Sequence, residues 1–175
     1  MVIYLQLILF FAGFPFQTGD FLVDESAKFK IRAPGIFLEK YESINTDIGY
    51  MDVLTYYHQP EDEAASNYLY LINYIEYPEG SLHHDSLVIV DELFKKSKDE
   101  FVLSIGGKSI YESLIDDGQY PIYLFRSEYN EGFNIVKSKM IVYEHRFYFL
   151  QVFTTKPNSL NKEMDHFLES FTILD

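Results

Sequence analysis

The ten residues Arg146–Thr155, RFYFLQVFTT, are the most strand-like stretch of the chain and decide its fold. Aromatic and β-branched side chains at this density fit the pleated surface of a sheet. Glu144 and His145 separate this stretch from another apolar run at 133–143, and the spacing predicts a tight hairpin. We therefore expect the core to be built from antiparallel strands.

Further strand patterns lie outside this hairpin. Residues 68–77 (YLYLINYIEY) are apolar on both faces, which is typical of a central strand that is covered on both sides. The remaining strand patterns are bounded by turn residues such as Pro34-Gly35 and Asn130-Glu131-Gly132. They cover residues 28–32, 36–41, 50–57, 108–114 and Pro121–Tyr129.

Two segments carry apolar residues at helical spacing. Residues 82–98 follow Ser81, a residue type suited to an N-cap, and place Val90 and Phe94 on one face. Residues 159–171 form a terminal amphipathic helix with Phe167 and Phe171 as expected core anchors. The sequence thus predicts an α+β fold, a single antiparallel β-sheet covered by helices. The main alternative is a cone-shaped α+β fold, but that fold normally opens with a long helix, whereas this chain opens with strands.

From about residue 29 to residue 174, this order of elements resembles the PsbP-like family, typified by the extrinsic PsbP subunit of photosystem II. Three stretches carry the resemblance: 29–35 (FKIRAPG), 146–153 (RFYFLQVF) and 167–171 (FLESF). The resemblance implies an α/β/α sandwich, which the family shares with a nuclear Ran-binding factor, and a protein that binds or scaffolds without chemistry of its own. It transfers no functional residue to this chain.

Composition disfavours several classes of function. The 27 acidic residues outnumber the 14 Lys and Arg residues, and the formal net charge is -13. Phosphate backbones and anionic lipid surfaces would repel such a chain. It contains no Cys, so it has no disulfide, no thiolate metal ligand and no lipobox cysteine for acyl anchoring. We expect no nucleic-acid partner, no stable membrane anchor and a monomer.

The N-terminal residues 2–16 (VIYLQLILFFAGFPF) match the apolar region of a secretory signal. The run is too short to span a bilayer, which takes about 20 apolar residues. No basic residue precedes it and no A-x-A-like cleavage site follows it. A start inside the true signal, an N-terminal strand or an anchor therefore stay open as alternatives. We predict a signal peptide over 1–19, a single domain over 20–175, and a secreted or periplasmic location.

Two loop motifs lack the spacing that their chemistry requires. Gly106-Gly107-Lys108-Ser109 is similar to the end of a phosphate-binding loop, but Val102 stands where the first glycine would be, so a helix-terminating glycine pair is expected. Asp116-Asp117-Gly118 lacks the alternating ligands of a calcium loop and is expected to be a turn.

His83, His84 and Asp85 are the densest group of metal-capable side chains in the sequence. If they are helical, the two histidines point about 100° apart, and ligands that share a helix face would have to be three or four residues apart. Surface histidines are the expected interpretation. We predict no catalytic residue, no cofactor-binding residue and no metal ligand.

Three classes of function stay open. The preferred one is an exported, non-catalytic binding or accessory domain for an unknown protein or small molecule. The alternatives are a carboxylate-dependent hydrolase and a structural or assembly subunit. If the chain binds a ligand, the first candidates are the tyrosines of the 68–77 strand (Tyr68, Tyr70, Tyr74) and the acidic loop Glu61, Asp62, Glu63.

Overall fold

Eleven strands and two α-helices make up the part of the chain that the computed structural model describes, residues 16–18, 20–46, 49–116 and 119–174. The helices are α1 (Leu87–Ser104) and α2 (Lys162–Glu169), and a short 3₁₀ turn covers Lys156–Asn158. The strands are β1 (Phe16–Thr18), β2 (Phe21–Asp24), β3 (Phe29–Arg32), β4 (Leu38–Thr46), β5 (Gly49–His58), β6 (Asn67–Glu76), β7 (Lys108–Asp116), β8 (Pro121–Tyr129), β9 (Asn134–Tyr143), β10 (Arg146–Thr155) and β11 (Thr172–Ile173).

Seven long strands form one antiparallel main sheet in the order β4-β5-β6-β10-β9-β8-β7. Strand β10 lies at its centre, between β6 and β9, and only its first and last residues escape full burial. The predicted hairpin is confirmed, because Arg146 pairs with Tyr143 across Glu144-His145. Glu144 takes a positive φ of 52° in this turn. The stretch with the clearest strand pattern is therefore the centre of the sheet.

The main sheet separates two hydrophobic cores. Phe147 and Phe149 of β10 face α1 and pack with Phe94 of that helix. The alternate side chains Tyr148 and Leu150 face the opposite core. This alternation follows from the two-residue period of a strand. Since both faces are covered, the central strands carry apolar residues at nearly every position.

Helix α1 lies further along the chain than the sequence predicts. It begins at Leu87 rather than at residue 82, because Ser81 is part of a turn in which its hydroxyl donates to the Pro78 carbonyl (2.6 Å). Its N-cap is Ser86, which makes no side-chain capping hydrogen bond. The helix continues beyond residue 98 because Phe101, half-buried, still packs on the main sheet.

The glycine pair after α1 ends the helix, as predicted. Gly106 has a φ of +59°, and its N–H donates to the Leu103 carbonyl at 3.0 Å. The Gly107 N–H donates to the Val102 carbonyl at 2.9 Å. These two bonds are those of a Schellman motif, in which a residue with positive φ satisfies the last free carbonyls. The segment is a helix stop and not a phosphate loop.

The predicted fold class, a single sheet covered by helices in an α/β/α sandwich, is wrong. The fold is β-rich, and four short strands form a second sheet in the order β1-β2-β3-β11. Together with α2, this small sheet covers the face of the main sheet opposite α1. Strands β2 and β11 have four and two residues, too few to show a periodic pattern in the sequence. The α/β/α sandwich that the PsbP-like resemblance implied is wrong as well, because a second sheet, and not helices alone, covers the face of the main sheet opposite α1.

A buried carboxylate joins the two sheets. Asp24, the last residue of β2, is 3% exposed and accepts hydrogen bonds from the backbone N–H groups of Ser26 and Ala27 at 2.8 and 2.9 Å. Tyr56 of β5 donates its hydroxyl hydrogen to the same carboxylate. Because a buried charge needs hydrogen bonds to be stable, this network holds the small sheet in a fixed position over β5.

The terminal helix is shorter than predicted and ends before Phe171, but both expected core anchors are buried. Asn161 caps it by accepting a hydrogen bond from the Met164 N–H at 2.8 Å, and residues before it form the 3₁₀ turn. Phe167 and Phe171 are 3% and 5% exposed, in agreement with their predicted role as core anchors. Helix α2 therefore closes the core between the main sheet and the small sheet.

The predicted signal peptide falls mostly outside the described residues, which do not include 1–15 or residue 19. Strand β1 lies within the predicted 1–19 range and pairs with β2, Phe16 opposite Val23. No helix in the described part of the chain is both long enough and apolar enough to cross a membrane. Asp117 and Gly118 of the predicted Asp116-Asp117-Gly118 turn also lie outside the described residues.

Candidate functional site

A cavity of about 550 Å³ opens where the end of β3, the loop 59–66 and α2 meet. His58 is the last residue of β5, and Tyr70 lies on the neighbouring strand β6. A concave site with several convergent polar groups is where proteins commonly hold small ligands. We call this site the His58 cavity. Its polar lining residues are Asp20, Arg32, His58, Asp62, Ser66, Tyr70, Glu163 and His166.

The His58 ring has a defined orientation and a defined tautomer. Its Nδ1 lies 2.9 Å from the carbonyl oxygen of Ile36. Since a carbonyl only accepts hydrogen bonds, Nδ1 carries the hydrogen, and in the neutral ring Nε2 carries the lone pair. The ring also lies beside Phe37 and Tyr70, with ring centroids 5.7 and 5.9 Å away. His58 can therefore offer a hydrogen-bond acceptor to a ligand without rearrangement.

Gly35 allows the His58 ring to lie in this place. A Cβ atom at position 35 would be 2.2 Å from Cε1 and 2.5 Å from Nε2 of His58. Both distances are far below van der Waals contact, so any other residue at this position displaces the ring. The Pro34-Gly35 pair, predicted as a turn, thus also shapes the cavity.

Hydrogen bonds fix the wall formed by β6 and α2. The Tyr70 hydroxyl accepts from Asn67 Nδ2 at 2.8 Å, and Asn67 exchanges two side-chain bonds with Asn161, at 2.8 and 3.1 Å. The Tyr70 ring packs edge-on against Phe167 at 5.1 Å. Burial raises the pKa of the Tyr70 hydroxyl above its usual range, so this group stays neutral. The wall is rigid because each element is bonded to the next.

Acidic groups predominate around the cavity. Asp20, Asp62 and Glu163 line it together with one guanidinium, that of Arg32. Asp62 is held in place because its Oδ1 accepts a hydrogen bond from the Ala64 N–H at 2.8 Å. With neutral histidines, the formal charge of the lining is negative, which favours a cationic or hydrogen-bond-donating ligand.

The structure brings together only part of the predicted binding residues. Tyr70 and Asp62 of the acidic loop line the same cavity. Tyr68 lies near the irregular pairing of β6 with the end of β10 and contacts Phe153 instead. Tyr74 lines a separate depression with Tyr41, Tyr50 and Glu76. The three tyrosines therefore do not form one stacking surface.

The group His83, His84 and Asp85 lies in the turn before α1 and not on a helix, which corrects the sequence interpretation of its geometry. The two imidazole rings stack at 4.3 Å, and potential ligand atoms of the three residues lie within 4.8 Å of one another. His84 Nδ1, however, accepts a hydrogen bond from the Glu144 N–H at 3.0 Å. In the neutral His84 ring the hydrogen is then on Nε2, which lies 3.5 Å from Asp85 Oδ1. A metal would need the lone pair of that same nitrogen, and the hydrogen blocks it. This arrangement is that of a hydrogen-bonded turn.

The sequence did not indicate the histidines of the cavity. His58 and His166 are far apart in the chain and follow no known ligand spacing, yet both line the His58 cavity. In the sequence, Pro34-Gly35 predicted only a turn, and the close approach of the His58 ring to Gly35 is visible only in the structure. The partner in that approach, His58, is set by the pairing of strands.

No protein-family model and no curated protein sequence matches this chain. The resemblance to the PsbP-like family therefore stays a prediction, and the function has to be inferred from the site itself.

Proposed function

We propose that this chain is a non-catalytic binding domain that holds a small organic amine in the His58 cavity. The observation that carries the proposal is the fixed His58 ring, whose Nδ1 is bonded to Ile36 and whose Nε2 is left as an acceptor. Carboxylates of Asp62 and Glu163 line the same cavity. An ammonium group donates hydrogen bonds, carries positive charge and is attracted to aromatic faces such as that of Tyr70.

A hydrolase with a serine or threonine nucleophile has less support than a binding domain, because such an enzyme needs a hydroxyl hydrogen-bonded to the base that activates it. The carboxylate-dependent hydrolase stays an alternative, since Asp62 and Glu163 line the cavity, and the turnover assay below decides it. Among the described residues, no serine or threonine hydroxyl is hydrogen-bonded to His58, whose ring bonds to a backbone carbonyl. The site thus offers acceptors to a ligand rather than an activated nucleophile.

We also propose that the domain is exported, because of the apolar run at 2–16. N-terminal sequencing of the protein recovered from its native host tests this proposal. A chain that starts near residue 20 in the secreted or periplasmic fraction would support export, whereas an intact Met1 in the cytosol would contradict it.

The binding proposal is tested by calorimetric titration of the full chain with spermidine at low salt. Glucose and acetate serve as neutral and anionic comparators. Asp62→Asn and Glu163→Gln each remove one charge from the cavity with little change of shape. Each is expected to weaken spermidine binding about fivefold, since a partly exposed charge contact contributes about 1 kcal/mol.

The matched control is Glu131→Gln, which removes an exposed charge in the turn between β8 and β9. A chain of charge -13 attracts any polyamine, so the control separates the cavity from the general field. If Glu131→Gln weakens spermidine as much as Asp62→Asn, or if glucose or acetate binds more tightly than spermidine, the amine proposal is wrong. Ester or glycoside turnover that Asp62→Asn abolishes would show an enzyme instead.

A further inference from the structure

Helix α2 separates the His58 cavity from a groove on its other side. Glu163, His166 and Phe167 face the cavity, whereas Asp165 and Leu168 face β8 and β9. Two depressions of about 470 and 250 Å³ lie there and share the lining residues Leu124, Lys137 and Asp165. Because these three side chains border both depressions, the depressions adjoin each other, and we call the two together the Arg126 groove.

Arg126 has no partner in this groove. It lies on β8, opposite Tyr111 of β7 on one side and Lys137 of β9 on the other. Its Nε is buried and makes no hydrogen bond, and no carboxylate among the described residues forms an ion pair with its guanidinium. A buried donor without an acceptor costs free energy, and the like charge of Lys137 directly opposite adds to that cost.

The neighbouring groups do not compensate this charge. Two carboxylates line the groove, those of Asp165 and Glu169. Asp165 is already bonded to Lys137, with 2.5 Å between Nζ and Oδ1. Lys139 donates to the Leu168 carbonyl at 3.0 Å. Three cations and two carboxylates line the groove, so its formal charge is positive, whereas the net charge of the chain is -13. The positive lining therefore favours an anionic ligand.

Apart from Ser159 and Glu169, the rest of the groove is lined by apolar and aromatic side chains and is open to solvent. Leu160 is 85% exposed and Tyr111 is 57% exposed, and both line the groove beside Leu124. Ile115 and Ile122 continue the apolar lining past Lys139. Covering such surface is favourable by about 25 cal/mol for each Å². A ligand that fits the whole groove has an anionic end and an aliphatic body.

We propose that the Arg126 groove binds a single-chain amphiphile with a carboxylate headgroup. The carboxylate accepts paired hydrogen bonds from the Arg126 guanidinium, whose planar fork matches carboxylate geometry. The aliphatic chain lies on Leu124, Leu160 and the isoleucines. This site is separate from the proposed amine site, and no residue varied in its test lines the His58 cavity.

Sodium dodecanoate below its micelle concentration is the probe, and calorimetric titration of the full chain is the measurement. One site is expected, with Arg126→Gln weakening binding about tenfold because a charge-assisted bidentate contact is lost. Lys108→Gln is the matched control, since Lys108 is an exposed cation of β7 paired with Glu128 outside the groove (2.7 Å). This control should leave dodecanoate binding unchanged.

A second variant, Leu160→Ser, tests the contact with the aliphatic chain of the ligand without disturbing folding, because a side chain that is 85% exposed does not support the core. It is expected to weaken dodecanoate about threefold and to leave acetate unaffected. The proposal is overturned if dodecanoate does not bind, if Arg126→Gln melts like the parent chain and binds equally well, or if dodecyltrimethylammonium binds as tightly. Acetate that binds as tightly as dodecanoate would overturn the amphiphile assignment as well.

Discussion

At the scale of single residues, two phenylalanines, one in α2 and one just after it, connect the C-terminal part of the chain to both sheets. Phe171 stacks on Phe29 of the small sheet at 5.6 Å and meets Tyr148 of the main sheet edge-on at 5.1 Å. Phe167 stacks on Phe37 at 6.1 Å. Aromatic pairs contribute beyond the area that they bury. These two side chains therefore fix the layer that carries one wall of the His58 cavity.

Phe167→Ala is expected to lower the free energy of unfolding by about 3 to 5 kcal/mol, because a ring that is 3% exposed leaves a cavity when it is removed. Urea unfolding followed by circular dichroism measures the change. Leu160→Ala serves as the control, since this side chain is 85% exposed and its loss should have little effect. Equal stability of Phe167→Ala and the parent chain would show that α2 does not close the core.

At the scale of the elements, Asn161 links α2 to β6. Its Oδ1 caps the helix through the Met164 N–H at 2.8 Å. Its Nδ2 donates to Asn67 Oδ1 at 2.8 Å, and Asn67 donates back at 3.1 Å. Asn67 is buried at the start of β6, close to Tyr70 in the cavity wall. One side chain thus starts the helix and also sets its distance from the main sheet.

Asn161→Ala is expected to lower the free energy of unfolding by about 1 to 3 kcal/mol, since it removes a cap and leaves the buried Asn67 short of a partner. Asn158→Ala is the matched control, because Asn158 contributes its backbone carbonyl and not its side chain to the hydrogen bonds of this turn. Denaturant titration of both variants measures the difference. If the two variants lose the same stability, the reciprocal bonds between Asn67 and Asn161 contribute nothing.

At the scale of the whole molecule, buried tyrosines make the fold sensitive to alkali. Burial is the largest cause of the raised pKa of each of these tyrosine hydroxyls. The pKa of Tyr123 is raised to about 12. An ionised phenol cannot be accommodated in these cores without hydration. The affected residues are the buried Tyr56, Tyr70, Tyr74, Tyr123 and Tyr148 and the half-buried Tyr68 and Tyr77.

The free energy of unfolding is expected to fall as the pH rises from 10 to about 12. In this range the unfolded tyrosines lose their protons and the folded ones keep them, so the folded state binds more protons and loses stability with rising pH. Below pH 10 this contribution is fully present. Urea titrations across the range, together with tyrosinate absorbance, test the expectation. Constant stability while the absorbance rises near pH 10 would mean that these hydroxyls titrate in the folded state.

The sequence by itself determined much of the main sheet. Strand β10 and strand β8 have the predicted bounds, and the turn at Glu144-His145 and the helix stop at Gly106-Gly107 are where the residue types require them. These features are local, because periodicity and turn chemistry act between residues that are near each other in the chain. The predicted start of α1 was wrong because the Ser81 hydroxyl bonds within its own turn and does not cap the helix.

Only the tertiary structure decided the second sheet and the site. The small sheet joins residues near both ends of the chain, β3 with β11. The pattern at residues 28–32 predicted β3, but its partner β11 has only two residues, too few for a periodic signal. The His58 cavity likewise joins Arg32, Asp62 and Glu163 across most of the sequence. Which distant residues meet depends on strand order and on the packing of α2, and these are set by burial of the whole core rather than by local pattern.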